Sequence, residues 1–226
     1  MPTPPRDPFA LPGLYLLLCT GILDGNPGSR RIELDIGVAG ALLTSLCVQG
    51  RLRVHHGGIA AVDTCPTGLA HVDRVLDRVG SSARVAGVGR WVENLAFHAY
   101  GDTLGHLVRS GTVDRTVRRS FGIRLEAYAP KRPAQYERLL ADVRLAFFGY
   151  APVSRTVTQV AALLRATGLH HVAFPGIPRR RLADWTALDG PLAEVHGAAE
   201  LASIKTITGA VAEAVSGRLD TLRFCG

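Results

Sequence analysis

Aromatic residues make up only 6% of the 226 positions, and Lys131 and Lys205 are the sole lysines. With so few rings, and with no helix-turn-helix, aromatic RNA-reading signature or zinc-finger spacing, nucleic acid is not indicated as a partner. The four cysteines (Cys19, Cys47, Cys65 and Cys225) are scattered, with no Cys-x-x-Cys pair. This usage fits a reducing cytoplasm, with Cys19 and Cys47 expected as small core residues because they sit inside apolar runs. No apolar run approaches the roughly 20 residues needed to span a bilayer. The stretch from Leu11 to Leu23 is followed by Asp24-Gly25 rather than a small-residue cleavage site, so it reads as a buried first helix. There is no Gly-x-Ser-x-Gly elbow, no Gly-x-x-x-x-Gly-Lys loop and no Gly-x-Gly-x-x-Gly opening a βαβ unit. An Asp-Asp-x-x-Asp cluster for magnesium is also lacking. Triad hydrolysis, nucleotide binding and magnesium-dependent diphosphate chemistry therefore have no visible ligand set, and neither a metal nor a cofactor is expected.

What is present is a globular composition, 47% hydrophobic, with a formal charge of +7 and a pI near 9.7 carried almost wholly by arginine. That charge favours an anionic partner. The arginine, alanine, valine and glycine bias is that of a bacterial, high-GC coding habit. Four prolines among residues 1–9 suggest a mobile tail over 1–10, and no linker divides 11–226, which reads as one domain.

Along the chain, helices are expected over Leu11–Ile22, Ile36–Val48 and Leu69–Val79, with a short hairpin between the last two at His55-His56-Gly57-Gly58. Asp73 and Asp77, flanked by Arg74 and Arg78, read as a solvated face. A helix over Val88–Arg109 is expected to be interrupted near Gly101. Two strands follow, Val113–Arg119 and Gly122–Tyr128, with Arg115, Arg118, Arg119, Arg124, Lys131 and Arg132 on the hairpin and its exit. Helices Gln135–Phe148 and Thr156–Thr167 and a final helical region, Leu192–Ser216, complete the chain, with His170-His171 in a surface loop. The fold class is mainly α, a single helical domain with a peripheral β-hairpin.

Within Trp91–Val113, Val92, Ala96, Ala99, Thr103 and Leu107 recur at helical spacing as a buried stripe. His98, Asp102 and His106, also four apart, put two imidazoles and a carboxylate on a neighbouring strip. This strip could serve acid–base chemistry or contact a ligand, or it could be a solvated face. With no His-Glu-x-x-His and no third ligand, metal is disfavoured.

Four stretches carry a resemblance to a known family. They are Leu14-Tyr15-Leu16-Leu17-Leu18-Cys19-Thr20-Gly21; Leu46-Cys47-Val48-Gln49-Gly50-Arg51-Leu52-Arg53-Val54; Cys65-Pro66-Thr67-Gly68; and Trp91-Val92-Glu93-x-Leu95 running on to Leu107-Val108-Arg109-Ser110-Gly111-Thr112-Val113. In this order they resemble the Golgi phosphoprotein 3 family. The resemblance implies a mostly helical domain with a peripheral hairpin that inserts at the membrane and can mediate oligomerisation. It further implies phosphatidylinositol 4-phosphate binding, which that family performs on Golgi membranes while gathering glycosyltransferase tails. The family's lipid pocket uses a tryptophan and three arginines. At the matching positions this sequence has Arg30, Ala39, Phe97 and Tyr100. Phenylalanine and alanine cannot donate to a phosphate, whereas Arg30 and Arg31 can.

Two functions are therefore expected as alternatives. One is a cytoplasmic, non-enzymatic protein, peripheral on the inner face of the membrane. It would bind phosphoinositide or another anionic phospholipid through an altered pocket (Arg30, Arg31, Ala39, Phe97, Tyr100) and present Arg115, Arg118, Arg119, Arg124 and Arg132 to the lipid. The other is a metal-independent biosynthetic cyclase or isomerase of a hydrophobic small molecule on the same fold, with His98, Asp102 and His106 as its catalytic groups. A homo-oligomer formed through the hairpin is compatible with either.

Overall fold

Two apolar helices organise the molecule. In the computed structural model, which describes residues 10–20, 30–82, 85–120, 123–187 and 190–224, α1 spans Leu11–Thr20 and α2 spans Arg31–Val48. Every residue of α1 from Leu11 to Cys19 is buried. A helix that is apolar all round belongs in a core, and here it packs on α2. The expected tail over 1–10 lies almost wholly outside the described residues, as does the end of the first helix at Gly21 and Ile22. Helix α2 begins five residues before the expected start at Ile36. Its opening five residues include polar Glu33 and Asp35, which hide the helical period from a hydrophobicity reading.

At its end α2 passes into a small antiparallel sheet, β1 (Leu52–His55), β2 (Gly58–Ala61) and β3 (Ala86–Gly87), in the order β1-β2-β3. The β1–β2 turn has His56 at φ 48° and Gly57 at φ 73°, the left-handed pair that a two-residue hairpin requires. Between β2 and β3 runs α3 (Ala70–Gly80), and α4 (Val88–Arg109) follows. α4 is continuous through Gly101, against the expected interruption. Its expected buried stripe is realised, with Val92, Ala96, Ala99, Thr103 and Leu107 all buried. Gly111 at φ 68° closes the helix, as the Thr112 amide donates to the Leu107 carbonyl at 2.9 Å.

The hairpin β4 (Val113–Ser120) and β5 (Ile123–Pro130) is paired along its full length. Beyond it lie α5 (Pro133–Phe148) and α6 (Arg155–Thr167), then the short helices α7 (His170–Ala173), α8 (Arg179–Trp185) and α9 (Pro191–Val195), and finally α10 (Ala198–Phe224). α5 is tied to the centre by Tyr136, whose hydroxyl donates to the Leu17 carbonyl at 3.1 Å. α2 packs against α4, α6 and α10, so one core runs from Leu11 to Val215.

Three local expectations are corrected. His170 and His171 lie on α7 rather than in a loop. The final region is two helices, α9 and α10. The break falls at buried His196, whose ring bonds Thr158 Oγ1 at 3.1 Å and Glu200 at 3.2 Å. Asp73 is not a solvated charge: it accepts from the amide and hydroxyl of Thr67 (2.6 Å each) and from the amide of Gly68 (3.2 Å). This carboxylate holds the Cys65–Gly68 loop at the start of α3. Cys19 and Cys47 are core residues as expected, and burial pushes both thiols up to about 12.

Candidate functional site

The candidate residues gather on two sides of α4. On the side facing the start of α2, Arg31 lies over the Tyr100 ring, 4.1 Å from its centroid, and bonds Asp35 at 2.8 Å. Burial raises the Asp35 carboxyl above its ordinary range, with Arg31 pulling the other way. It also raises the Tyr100 hydroxyl. Arg31 is thus already engaged by a carboxylate and a ring. Arg30, exposed at the N-terminal boundary of α2, is not engaged in this cluster. Ala39 is fully buried within α2. Phe97 is 69% exposed and lines a cavity of about 120 Å³ together with Ile32, Ile36 and Arg218. The Arg218 guanidinium stands 5.6 Å from the Phe97 centroid. Glu93 and Asp35 also line this cavity, so its charge is mixed.

The other side of α4 faces α3 across a cleft of about 310 Å³. His98 and Asp102 line it from α4. His71, Arg74 and Arg78 line it from α3. Asp102 pairs with Arg74 at 3.1 Å, and His106 stacks on buried His71 with centroids 4.3 Å apart. Burial, with His106 and Arg74 nearby, pushes the His71 imidazole down to about 4, so it is neutral at physiological pH. His106 is shifted down as well, chiefly by burial and then by Arg109.

Asp102 pairs with Arg74 rather than with either histidine: His98 shares the cleft with it, and His106 stacks on His71. Phe97 lines one cavity while His98 and Asp102 line another, because neighbouring helical residues diverge by about 100°. α4 thus separates Phe97 from His98 and Asp102. Among the described residues, no group of three His, Cys, Asp or Glu side chains is placed to hold a metal ion.

The hairpin arginines also separate. Arg115 is paired with Glu126, which accepts from the Tyr128 hydroxyl at 2.6 Å. Arg132 lies at the hairpin's base, at the start of α5. Backbone register places Arg119 opposite Arg124 and Arg118 opposite Leu125, in the last rungs before the turn.

Sequence reasoning missed His71, Arg74, Arg78, Asp35 and Arg218. The signal for the first three was present, since positions 71, 74 and 78 share one face of an amphipathic helix. What was missing was the partner helix opposite that face.

The Golgi phosphoprotein 3 (GPP34) family matches residues 11–215. The chain belongs to this family. The match runs from the first residue of α1 into α10, through both sides of α4 and the hairpin. Among curated proteins none matches the chain. The mainly helical Golgi phosphoprotein 3 fold expected from the sequence is present, and no described helix is long and apolar enough to cross a membrane.

Proposed function

We propose that this Golgi phosphoprotein 3 family member is a non-enzymatic peripheral protein that docks on anionic phospholipid, on the cytoplasmic face of a membrane, through the distal end of the β4–β5 hairpin. The observation that carries the reading is the hairpin's register. It concentrates Arg118, Arg119 and Arg124 within the last rungs, while Arg115 is neutralised by Glu126. At its base the hairpin is anchored by buried Val113 and Pro130 and by the Lys131 amide, which donates to the Thr112 carbonyl at 3.0 Å. Every residue from Asp114 to Val117 is exposed. Seven steps of about 3.4 Å put the far rungs roughly 24 Å beyond Val113. Between Arg119 and Arg124 the sequence reads Ser120-Phe121-Gly122-Ile123, largely apolar residues between cations, a composition that suits a lipid interface.

In the head-group region Arg31 is committed to Asp35 and Tyr100, and Phe97 takes a position where the family has an arginine. Phosphoinositide selectivity is accordingly expected to be weak, and surface charge to dominate. Each cation near an anionic surface contributes about 1 kcal/mol, so three contribute about 3 kcal/mol, roughly a hundredfold in partitioning.

The test is co-sedimentation with neutral and phosphatidylserine-containing vesicles at low and physiological salt. The wild type is expected to pellet with anionic vesicles only and to lose binding as salt rises. The triple variant Arg118→Gln, Arg119→Gln, Arg124→Gln is expected to lose most of it. Equal pelleting with both vesicle types at low salt sinks the reading.

A further inference from the structure

The α3–α4 cleft is not explained by hairpin docking. Its residues converge from α3 and α4, with Leu42 of α2 behind them, and these helices meet only in the tertiary fold. Arg74 and Arg78 sit one helical turn apart on α3, and both are exposed at the cleft's rim. His98 faces them from α4, also exposed. The inner wall is apolar, formed by Leu42, Val75 and Leu95. His71 closes one side. It is 2% exposed, and its Nδ1 is buried without a hydrogen-bond partner. The sole carboxylate among the lining residues, Asp102, is held by Arg74.

The geometry points to a second ligand site here: the cleft binds a compact phosphate ester with a short apolar portion, the phosphate between Arg78, Arg74 and His98 and the apolar part against Leu42, Val75 and Leu95. Guanidinium groups offer several donors in a planar fork that matches phosphate oxygens, and the His98 imidazole adds one more. A volume of about 310 Å³ is at the small end for a ligand cavity, so the cleft holds a phosphate group and only a short apolar portion of the ligand. The Arg74–Asp102 pair spans the cleft between half-exposed side chains, with 53% and 38% of their surface accessible. Such a pair is weak, so an arriving phosphate competes with Asp102 for Arg74. Asp102 is thereby an internal competitor for the site, and its removal strengthens ligand binding.

This gives the test two variants with opposite signs. Titration calorimetry with hexyl phosphate and with inorganic phosphate measures the 226-residue protein and its variants. Hexyl phosphate is expected to bind with one-to-one stoichiometry and more tightly than inorganic phosphate. Arg78→Gln is expected to weaken it by about tenfold or more, the value of a charge-assisted hydrogen bond. Asp102→Asn is expected to tighten it by about two- to fivefold. Arg78 is exposed, so its replacement does not threaten the core. No hexyl phosphate binding, or affinities unmoved by both variants, overturns the proposal. A loss of affinity in Asp102→Asn equal to that in Arg78→Gln also overturns it, because it would mean a general structural effect.

The source of the phosphate is resolved in the triple hairpin variant, which lacks the proposed docking charges. Capture of that variant by vesicles containing phosphatidic acid, reversed by hexyl phosphate, identifies a lipid head group. Hexyl phosphate binding without vesicle capture identifies a free phosphate ester. Calorimetry of the cleft and sedimentation through the hairpin thus fail independently.

Discussion

Replacing Gly37 by alanine probes the central contact of the fold, where α1 crosses α2. A methyl built on Gly37 falls 2.5 Å from Cζ and 2.6 Å from Cε1 of Tyr15, and on its hydroxyl oxygen as well. Side-chain carbons do not settle that close to one another, so something must move. Tyr15 has no accessible surface, and its hydroxyl lies 2.8 Å from Thr167 Oγ1. Since the Thr167 hydroxyl donates to the Leu163 carbonyl at 2.9 Å, Tyr15 is the donor in that pair. Shifting the ring therefore costs about 1–3 kcal/mol in overpacking and about 1 kcal/mol for the strained hydrogen bond. Alanine regains about 1 kcal/mol through helix propensity. The expected net loss is about 2 kcal/mol, a fall of roughly 4–8 °C in melting temperature for a chain of this size. Thermal unfolding followed by circular dichroism measures it. In a Tyr15→Phe background the penalty should persist, because the ring carbons remain in the way. In a Tyr15→Ala background it should vanish. A Gly37→Ala protein that melts at or above the wild type would refute the reasoning.

Asp73→Ala removes three hydrogen bonds to Thr67 and Gly68 and is expected to cost about 2 kcal/mol by urea denaturation, with Asp77→Ala near zero as the control. Stability should also fall on acidification. The folded-state pKa of His71 is depressed to about 4, so between pH 6.5 and 4 the unfolded chain takes up the proton first, a loss on the order of 3 kcal/mol. The His71→Phe variant should show a flatter stability profile across that window, and an unchanged slope would count against a neutral buried imidazole.

Much of this fold was legible because its signals are local. The leucine run of α1, the stripe from Val92 to Leu107 and the glycine stops after α4 and α6 all depend on neighbours within a few residues. Ends and breaks were harder. The early start of α2 was hidden by Glu33 and Asp35. The division of α9 from α10 depends on His196 reaching Thr158, 38 residues away in the chain. β3 is two residues long and exists only because β2 offers it an edge. For the candidate site, spacing gave one side only. Residues 98, 102 and 106 share a strip of α4, but His71 and Arg74, which stand opposite it on α3, are brought there only by the fold.

By itself the sequence determined the helical class, the family, the basic character and the hairpin that concentrates three arginines, because periodicity, composition and turn chemistry act over short separations. Only the tertiary structure decided which charges remain available. Arg31 is taken by Asp35 and Tyr100, Arg115 by Glu126, and Asp102 by Arg74. Two of these three arrangements join different elements, and the Arg31 cluster is completed only by Tyr100 from another helix. Whether an arginine can hold a phosphate depends on what stands beside it in space, and that is set by how α2, α3 and α4 pack.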